Sequence, residues 1–252
     1  MNNGKSNPAA ARLGGDLISS QVVERLAHEL QSGCYATCDH LPAEVELAEM
    51  LRVSRTVVRD ALSELEREGY IERVRGIGTV INRGVVALKN RLDQKLEFYS
   101  MIESHGMSPH SDHIQVLRYA ADDLLAASLS IVPGEMVLCV RKRVFADDTP
   151  VIYSTDVLPL SLFDGKRLDD IDFGGPVFEV LRRVAGVQTT STVAHVQAVV
   201  GDTNIRRLLG VTPDKALLFL DEVCYSRLCK PVMHCYTYYT DYFDFPIVRK
   251  LL

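Results

Sequence analysis

Residues 41–83 read LPAEVELAEMLRVSRTVVRDALSELEREGYIERVRGIGTVINR, and their spacing gives two short helices, a third helix and a two-stranded wing in one unbroken run. That order is how a winged helix-turn-helix lays a helix into DNA. The second helix is expected to open at Pro42, whose fixed φ and missing N–H suit a first turn, with Glu44 and Glu46 near its positive end. The chain turns at Arg52 and Val53, and Ser54 is placed to cap the third helix. There Val57, Val58, Ala61, Leu62 and Leu65 recur at helical spacing and are expected to pack inward. The opposite face carries Arg55, Thr56 and Arg59 on the first turns, the part a recognition helix pushes into the major groove, where arginine pairs with guanine O6 and N7. Gly69 ends this helix by tolerating a left-handed backbone. Tyr70, Ile71 and Val74 then alternate as a strand, Gly76-Ile77-Gly78 turns, and Thr79-Val80-Ile81 returns. Arg73, Arg75 and Arg83 flank that turn, where a wing meets phosphates or the minor groove.

Arginines on one face of an isolated helix are usually just solvated. The ordered set around them argues otherwise, and so does the charge distribution. The whole chain is acidic, with net charge −5 and pI near 5.8, which on its own speaks against a phosphate-rich partner. Yet residues 52–91 carry nine Lys or Arg against five Asp or Glu, whereas residues 13–51 carry one Arg against seven acids. The positive charge is therefore concentrated on the third helix, wing and following linker.

The remaining composition narrows the class. At 252 residues, 47% hydrophobic and 24% charged, the chain can bury full cores and has room for about two domains. No segment approaches the ~20 apolar residues of a membrane span, and Met1-Asn2-Asn3-Gly4-Lys5 leads into no apolar signal core, so a cytoplasmic protein without membrane contact is expected. Residues 1–16 read as a flexible tail. The six cysteines form no tight C-x-x-C pair; Cys34-x-x-x-Cys38 with His40 suggests a metal or redox sensor but supplies at most three ligands, and free thiols in a loop explain it as well. His105, His110 and His113 lie in a polar loop with no carboxylate pattern to fix a metal. There is no G-x-S-x-G, H-E-x-x-H, P-loop or dinucleotide glycine fingerprint, and Asp147-Asp148 and Asp169-Asp170 sit in turn-like segments. Neither catalysis nor a cofactor is expected.

Residues 84–92 read as a linker, and a second domain is expected over 93–252. Leu92, Leu96, Tyr99 and Ile102 recur at helical intervals, closed by Gly106. Beyond them the rhythm is α+β: strands near 114–119, 136–145, 151–158, 190–200, 216–225 and 232–242, and helices near 122–129, 177–185 and 203–209. Hairpin-connected strands between helices suggest an antiparallel sheet with helices on one side. Asp122, Leu125, Leu129, Ile131, Pro133, Leu138 and Val140 are echoed eighty residues on by Asp202, Ile205, Leu209, Val211, Pro213, Leu218 and Leu220. Two related halves would face each other, and the seam between them is a natural ligand cleft.

Residues 17–83 resemble the DNA-binding domain of the GntR superfamily of bacterial transcription regulators. The likeness rests on Leu41-Pro42, Glu44, Glu46-Leu47-Ala48, Ser54-Arg55, Val58-Arg59, Ala61-Leu62, Leu65, Glu68-Gly69, Gly76 and Gly78-Thr79. It implies DNA contacts from Glu44, Arg52, Ser54, Arg55, Thr56, Arg59, Arg75, Gly76, Gly78 and Thr79. Two positions depart from the family: Ala43, where Ser is usual, and Val45, where Arg is frequent. Residues 90–245 are similar to the UTRA effector-binding domain of the HutC subfamily, through Gly106-Met107-x-Pro109, Ile131-x-Pro133-Gly134-Glu135, Arg141-x-Arg143, Pro150, Leu158-Pro159 and Lys230-Pro231-Val232. The resemblance implies a chorismate-lyase-like fold without lyase activity, a homodimer on an inverted-repeat operator, and a small anionic effector, a sugar phosphate or carboxylate. Arg141 and Arg143 match a paired-arginine anion position, and Tyr239 a tyrosine reaching the same anion. Ser154 and Met233 stand where amino-sugar-phosphate binders place carboxylates, and Tyr153, His195, His234, Tyr236 and Tyr238 are expected to line the cleft. A repressor controlled by such a metabolite is the reading that follows, with an architectural DNA-binding protein that no small molecule alters as its alternative.

Overall fold

The computed structural model describes residues 8–250, with side chains from Ile18 onward, and the chain divides into two compact units. The first holds the chain up to Asp93 and takes back the segment from Pro246; the second is Gln94–Phe245. Residues 1–7 of the expected tail lie outside the described residues, and a helix α1 runs Pro8–Gln31.

In the first unit α1 lays Val22, Leu26 and Leu30 against α2 (Glu44–Leu51) and α3 (Arg55–Arg67). Val58, Ala61, Leu62 and Leu65 of α3 are fully buried, which is the inward stripe its spacing predicts, while Val57 is half-buried. Ser54 caps α3, its hydroxyl accepting from the Val57 N–H at 3.3 Å. The preceding helix starts two residues later than its proline suggests. Ala43 is the N-cap, extended at ψ 152°, and Pro42 lies outside the helix. Alanine offers no acceptor, but the Glu46 carboxylate reaches back to accept from the Ala43 N–H at 3.1 Å, half of a capping box.

The wing has three strands, where the sequence suggested two: β1 (His40–Leu41), β2 (Ile71–Val74) and β3 (Gly78–Ile81), in the order β1-β3-β2. A two-residue strand is too short to carry a period, so only the pairing of His40 with Val80 and Leu41 with Thr79 discloses it. Residues expected as linker are partly core, since α4 (Arg83–Val86) buries Val85 and Val86 with the first unit. The returning segment belongs here too. Leu92 N–H donates to Pro246 C=O at 2.9 Å, Val248 packs on the core beside Gly69, and Lys250 donates to the Glu66 carbonyl.

The second unit is a six-stranded antiparallel sheet, in contact order β4 (Pro109–Ala120), β5 (Met136–Ala146), β6 (Thr149–Pro159), β9 (Pro231–Tyr239), β8 (Leu217–Ser226), β7 (Thr189–Val199). The echoed halves are thus β4-β5-β6 and β7-β8-β9, joined along β6 and β9. Their helices, α6 (Asp123–Leu129) and α8 (Thr203–Leu209), begin identically: Asp122 and Asp202 each accept from the N–H three residues on, at 2.8 Å. Each half lays its helix on the other, α6 over β9 and α8 over β6.

Helices cover both faces of the sheet, not one. The face away from α6 and α8 is closed by α5 (Phe98–Glu103), α7 (Val177–Val180) with the π-helical turn that extends it, and the 160–173 segment, through Phe98, Phe163, Phe173, Val177, Val180 and Leu181. α5 is also shorter than the periodicity of residues 92–106 predicts, because Leu92 is bonded to Pro246 and Glu97 is spent outside the helix.

Candidate functional site

The first turns of α3 present Arg55, Thr56 and Arg59 to solvent, with Arg52 beside them at a left-handed φ of 56°. Gly76 and Gly78 turn the wing at φ +82° and +112°, and a Cβ at either would meet nothing within 4 Å. Glycine is required there by backbone conformation, not by crowding. Arg75 is exposed at that turn, Thr79 is half-buried on β3, and Glu44 is half-buried at the start of α2.

The local excess of base does not all face outward. Arg73 is bonded to the Glu66 carboxylate at 2.6 Å and to Ser63 Oγ at 3.1 Å. Arg83 is a structural clamp whose guanidinium donates to the carbonyls of Leu30, Tyr35 and Cys38, tying the end of α1 to the wing. Arg91 pairs with Asp93 and lies over the Tyr70 ring, 5.2 Å from its centroid. Two of the three arginines expected to flank the wing turn are thereby withdrawn. Arg52, Arg55, Arg59 and Arg75 are exposed and in no ion pair among the described residues.

In the second unit the expected effector residues fall on opposite faces of the sheet. Paired residues of antiparallel strands share a face. Arg141 pairs with Thr155, Arg143 with Tyr153, Tyr153 with Tyr238, Thr155 with Tyr236 and His195 with Asp221, all on the face under α6 and α8. Ser154 and Tyr239 lie on the other face, in line with Lys142 and Thr237. The Arg-Lys-Arg run identifies a cationic strand but not its side, since a register shift of one residue turns every side chain over. β5 and β6 carry such an irregularity between Val144 and Phe145.

Arg143 is not available to an anion. Its Nε and Nη2 grip the Asp112 carboxylate at 2.7 and 2.5 Å, and its Nη1 donates to the Leu208 carbonyl at 2.7 Å, fastening β4, β5 and α8. His234 is also engaged: Nδ1 lies 2.7 Å from Ser128 Oγ and Nε2 lies 2.6 Å from Asp221 Oδ1. Ser128 gives its hydroxyl proton to the Leu125 carbonyl of its own helix, so the group braces α6 on β9 and β8. His195 stands exposed on the edge strand, and Tyr236 is half-buried, stacked 4.5 Å from the His234 ring.

The Arg143 contact holds the Asp112 carboxyl below the usual carboxylate range. A depressed acid stabilises the fold above its ordinary titration range and loses that contribution as pH falls. We expect Asp112→Asn to lower neutral-pH stability by about 1 kcal/mol, kept small because the side chain is 42% exposed. Denaturant midpoints at pH 7 and pH 3 check it: the two chains should converge at the acid end.

The opposite face carries a narrow polar crevice of about 10 Å³, room for a single water, lined by Lys95, Glu97, Phe98, Asp156, Cys235 and Thr237 among others. Segment 95–98 enters on one side and the start of α7 on the other. Lys95 and Glu222 are ion-paired at 2.5 Å. The Glu97 carboxylate accepts from the N–H groups of Phe178 and Glu179, at 2.7 and 3.3 Å, capping α7 across the crevice. Burial raises the Glu97 carboxyl above its ordinary range, and burial pushes the Tyr239 hydroxyl up to about 12, which keeps it a neutral donor. Lys142, only 1% exposed, donates to Gly175 C=O at 2.5 Å. A lysine between two arginines gives no sequence signal of burial; only β5's register discloses it. Lys95, Glu97 and Asp156 were likewise not expected. Among the described residues no group of three or more His, Cys, Asp or Glu is arranged to hold a metal, and Cys34 and Cys38 are free thiols.

A winged reading head and a separate six-stranded sheet under helices on both faces define a two-module protein of the DNA-binding regulator build. The profile for bacterial regulatory proteins of the gntR family matches residues 18–81, and that for the UTRA domain matches residues 104–242. The chain belongs to the GntR family of transcription regulators that carry a UTRA domain, a family of regulators and not of enzymes. It is 30% identical to the transcriptional repressor PhnF of Mycolicibacterium smegmatis over 75% of each chain, and 24% identical to the repressor NagR of Bacillus subtilis over 83% of this chain and 85% of that one. The crystal structure of PhnF from Mycobacterium smegmatis superposes with a TM-score of 0.59 at 26% identity, covering 92% of this chain and 99% of that one. No helix among the described residues is long and apolar enough to cross a membrane.

Proposed function

We propose that this regulator is a cytoplasmic, homodimeric repressor that binds an inverted-repeat operator and is released by a small anionic metabolite bound in the second unit. The observation that carries the reading is the separation of roles. Four unpaired arginines surround the first turns of α3 and the wing, while the other unit is a separate sheet domain that matches the UTRA domain. Of the two expected anion contacts, Arg143 is neutralised by Asp112, which leaves Arg141 on the face under α6 and α8 for an anionic group. Repression agrees with the relatives PhnF and NagR, both of which are transcriptional repressors. Fluorescence anisotropy on DNA from upstream of the chain's own gene, titrated with a metabolite panel, tests the reading: unaltered binding throughout would leave an architectural DNA binder.

Pairing is supported by the sheet edges. β4 and β7 are the outer strands and expose Ile114, Val116, Leu117 and Tyr119 on one, Val193 and Val196 on the other. Bare apolar edges invite a second chain. Leu117→Lys with Val193→Lys is expected to shift the molecular mass from dimer to monomer in light scattering and to weaken operator binding at least about tenfold, since one head loses its partner. A dimer of unchanged mass would refute this interface.

A further inference from the structure

The tip of the wing carries a side chain that the fold does not use. Ile77 N–H donates to Val74 C=O at 3.1 Å and closes a tight turn, with Gly76 at φ +82° before it and Gly78 at φ +112° after it. The Ile77 side chain is 65% exposed, more than any other large apolar side chain described in the first unit, and it joins no part of that unit's core. A lone surface apolar residue is ordinary. Two features set this one apart. Both of its neighbours are glycines in open space, so no adjacent side chain would hold an approaching surface away from it. Arg75, one residue further back, is exposed and in no ion pair among the described residues.

A bare turn with an apolar point and a guanidinium beside it has the chemistry of a minor-groove reader. On the floor of that groove A·T and T·A show only the acceptors adenine N3 and thymine O2, whereas G·C adds the protruding guanine 2-amino donor. Isoleucine has no acceptor to offer that amino group, so covering it would leave a donor unpaired. Over A·T there is no such group, and the arginine can supply donors to the acceptors, aided by the negative potential of a narrow A·T groove. We infer that Ile77 is a specificity-determining residue, whose side chain selects A·T or T·A at the base pair it covers by rejecting the guanine 2-amino group. This selection lies apart from the base pairs that α3 faces in the major groove. It rests on the wing meeting DNA and is independent of any metabolite.

A duplex selected from a random pool by the full-length chain supplies the probe. Each of its A·T pairs is replaced in turn by G·C and by inosine·cytosine, which keeps the major-groove acceptors of G·C but lacks the 2-amino group. Anisotropy at fixed salt is expected to find at least one pair where G·C weakens binding about tenfold, the scale of one mismatched base pair, and inosine·cytosine restores it to within about twofold. Ile77→Ala should shrink that G·C penalty to about twofold or less with an unchanged melting midpoint, since the side chain is exposed. Ile77→Asn is the second variant, because a misplaced wing could also lose the penalty. Its amide oxygen can accept from the 2-amino group, so G·C should bind at least as well as A·T at the same pair. The inference is overturned if no pair shows rescue by inosine, if Ile77→Ala keeps the pattern, which would give the reading to Arg75, or if Ile77→Asn still disfavours G·C there.

Discussion

Replacing Arg59 with alanine should weaken operator binding by about 10- to 100-fold, the range for losing one paired arginine contact to a guanine. The side chain is exposed and unpaired on the face of α3 opposite Val58, Leu62 and Leu65, so its removal leaves the buried stripe intact. Surface changes of this kind shift stability by no more than about 0.5 kcal/mol. Anisotropy titrations at fixed salt, beside thermal melts, separate the possibilities. Loss of DNA affinity with an unchanged melt supports a reading residue; loss of both would mean that Arg59 holds the head together. Arg83→Ala is the contrasting case, because it strips donors from three carbonyls inside the unit and should lower the melt itself.

The largest stability effect is expected at Lys95. Glu222 is 2% exposed, and Lys95 is its ion-pair partner. Lys95→Met leaves a buried carboxylate unpaired, which typically costs about 3–5 kcal/mol. Lys95→Met combined with Glu222→Leu removes both charges and should recover most of that loss. Urea denaturation followed by a probe in the second unit measures it, the two units being free to unfold in separate steps. A single variant no less stable than the double one would mean that water reaches Glu222.

The reading head was legible because each of its parts repeats a local rule: a Ser54 cap, an apolar stripe, a glycine stop and alternation in the wing. What eluded the sequence there was the two-residue β1 and the inward turn of Arg73 and Arg83. Composition counts charges but not their partners, so a basic stretch overstated the surface offered to DNA. The second unit was legible in rhythm and in its echoed halves, whose capping aspartates hold the same geometry. Its crevice was not. The choice of face hangs on strand register, and Lys142 and Asp156 are buried charges that polarity alone places outside. Ser154 and Tyr239 were found on the crevice face; the other expected effector residues stand on its reverse.

The return of the chain from Pro246 to pack Val248 beside Gly69 makes the DNA-binding unit discontinuous in sequence. Its borders are therefore not where a linear reading would cut. A fragment ending at residue 93 lacks Val248 and Lys250, and a graft of this head onto another sensor would have to carry both termini. A single proteolytic nick near residue 94 would leave the head still joined through the crossing at residues 245–246. Modular exchange between relatives would thus demand two breakpoints, and heads and sensors of this build should be inherited together more often than those joined by one linker.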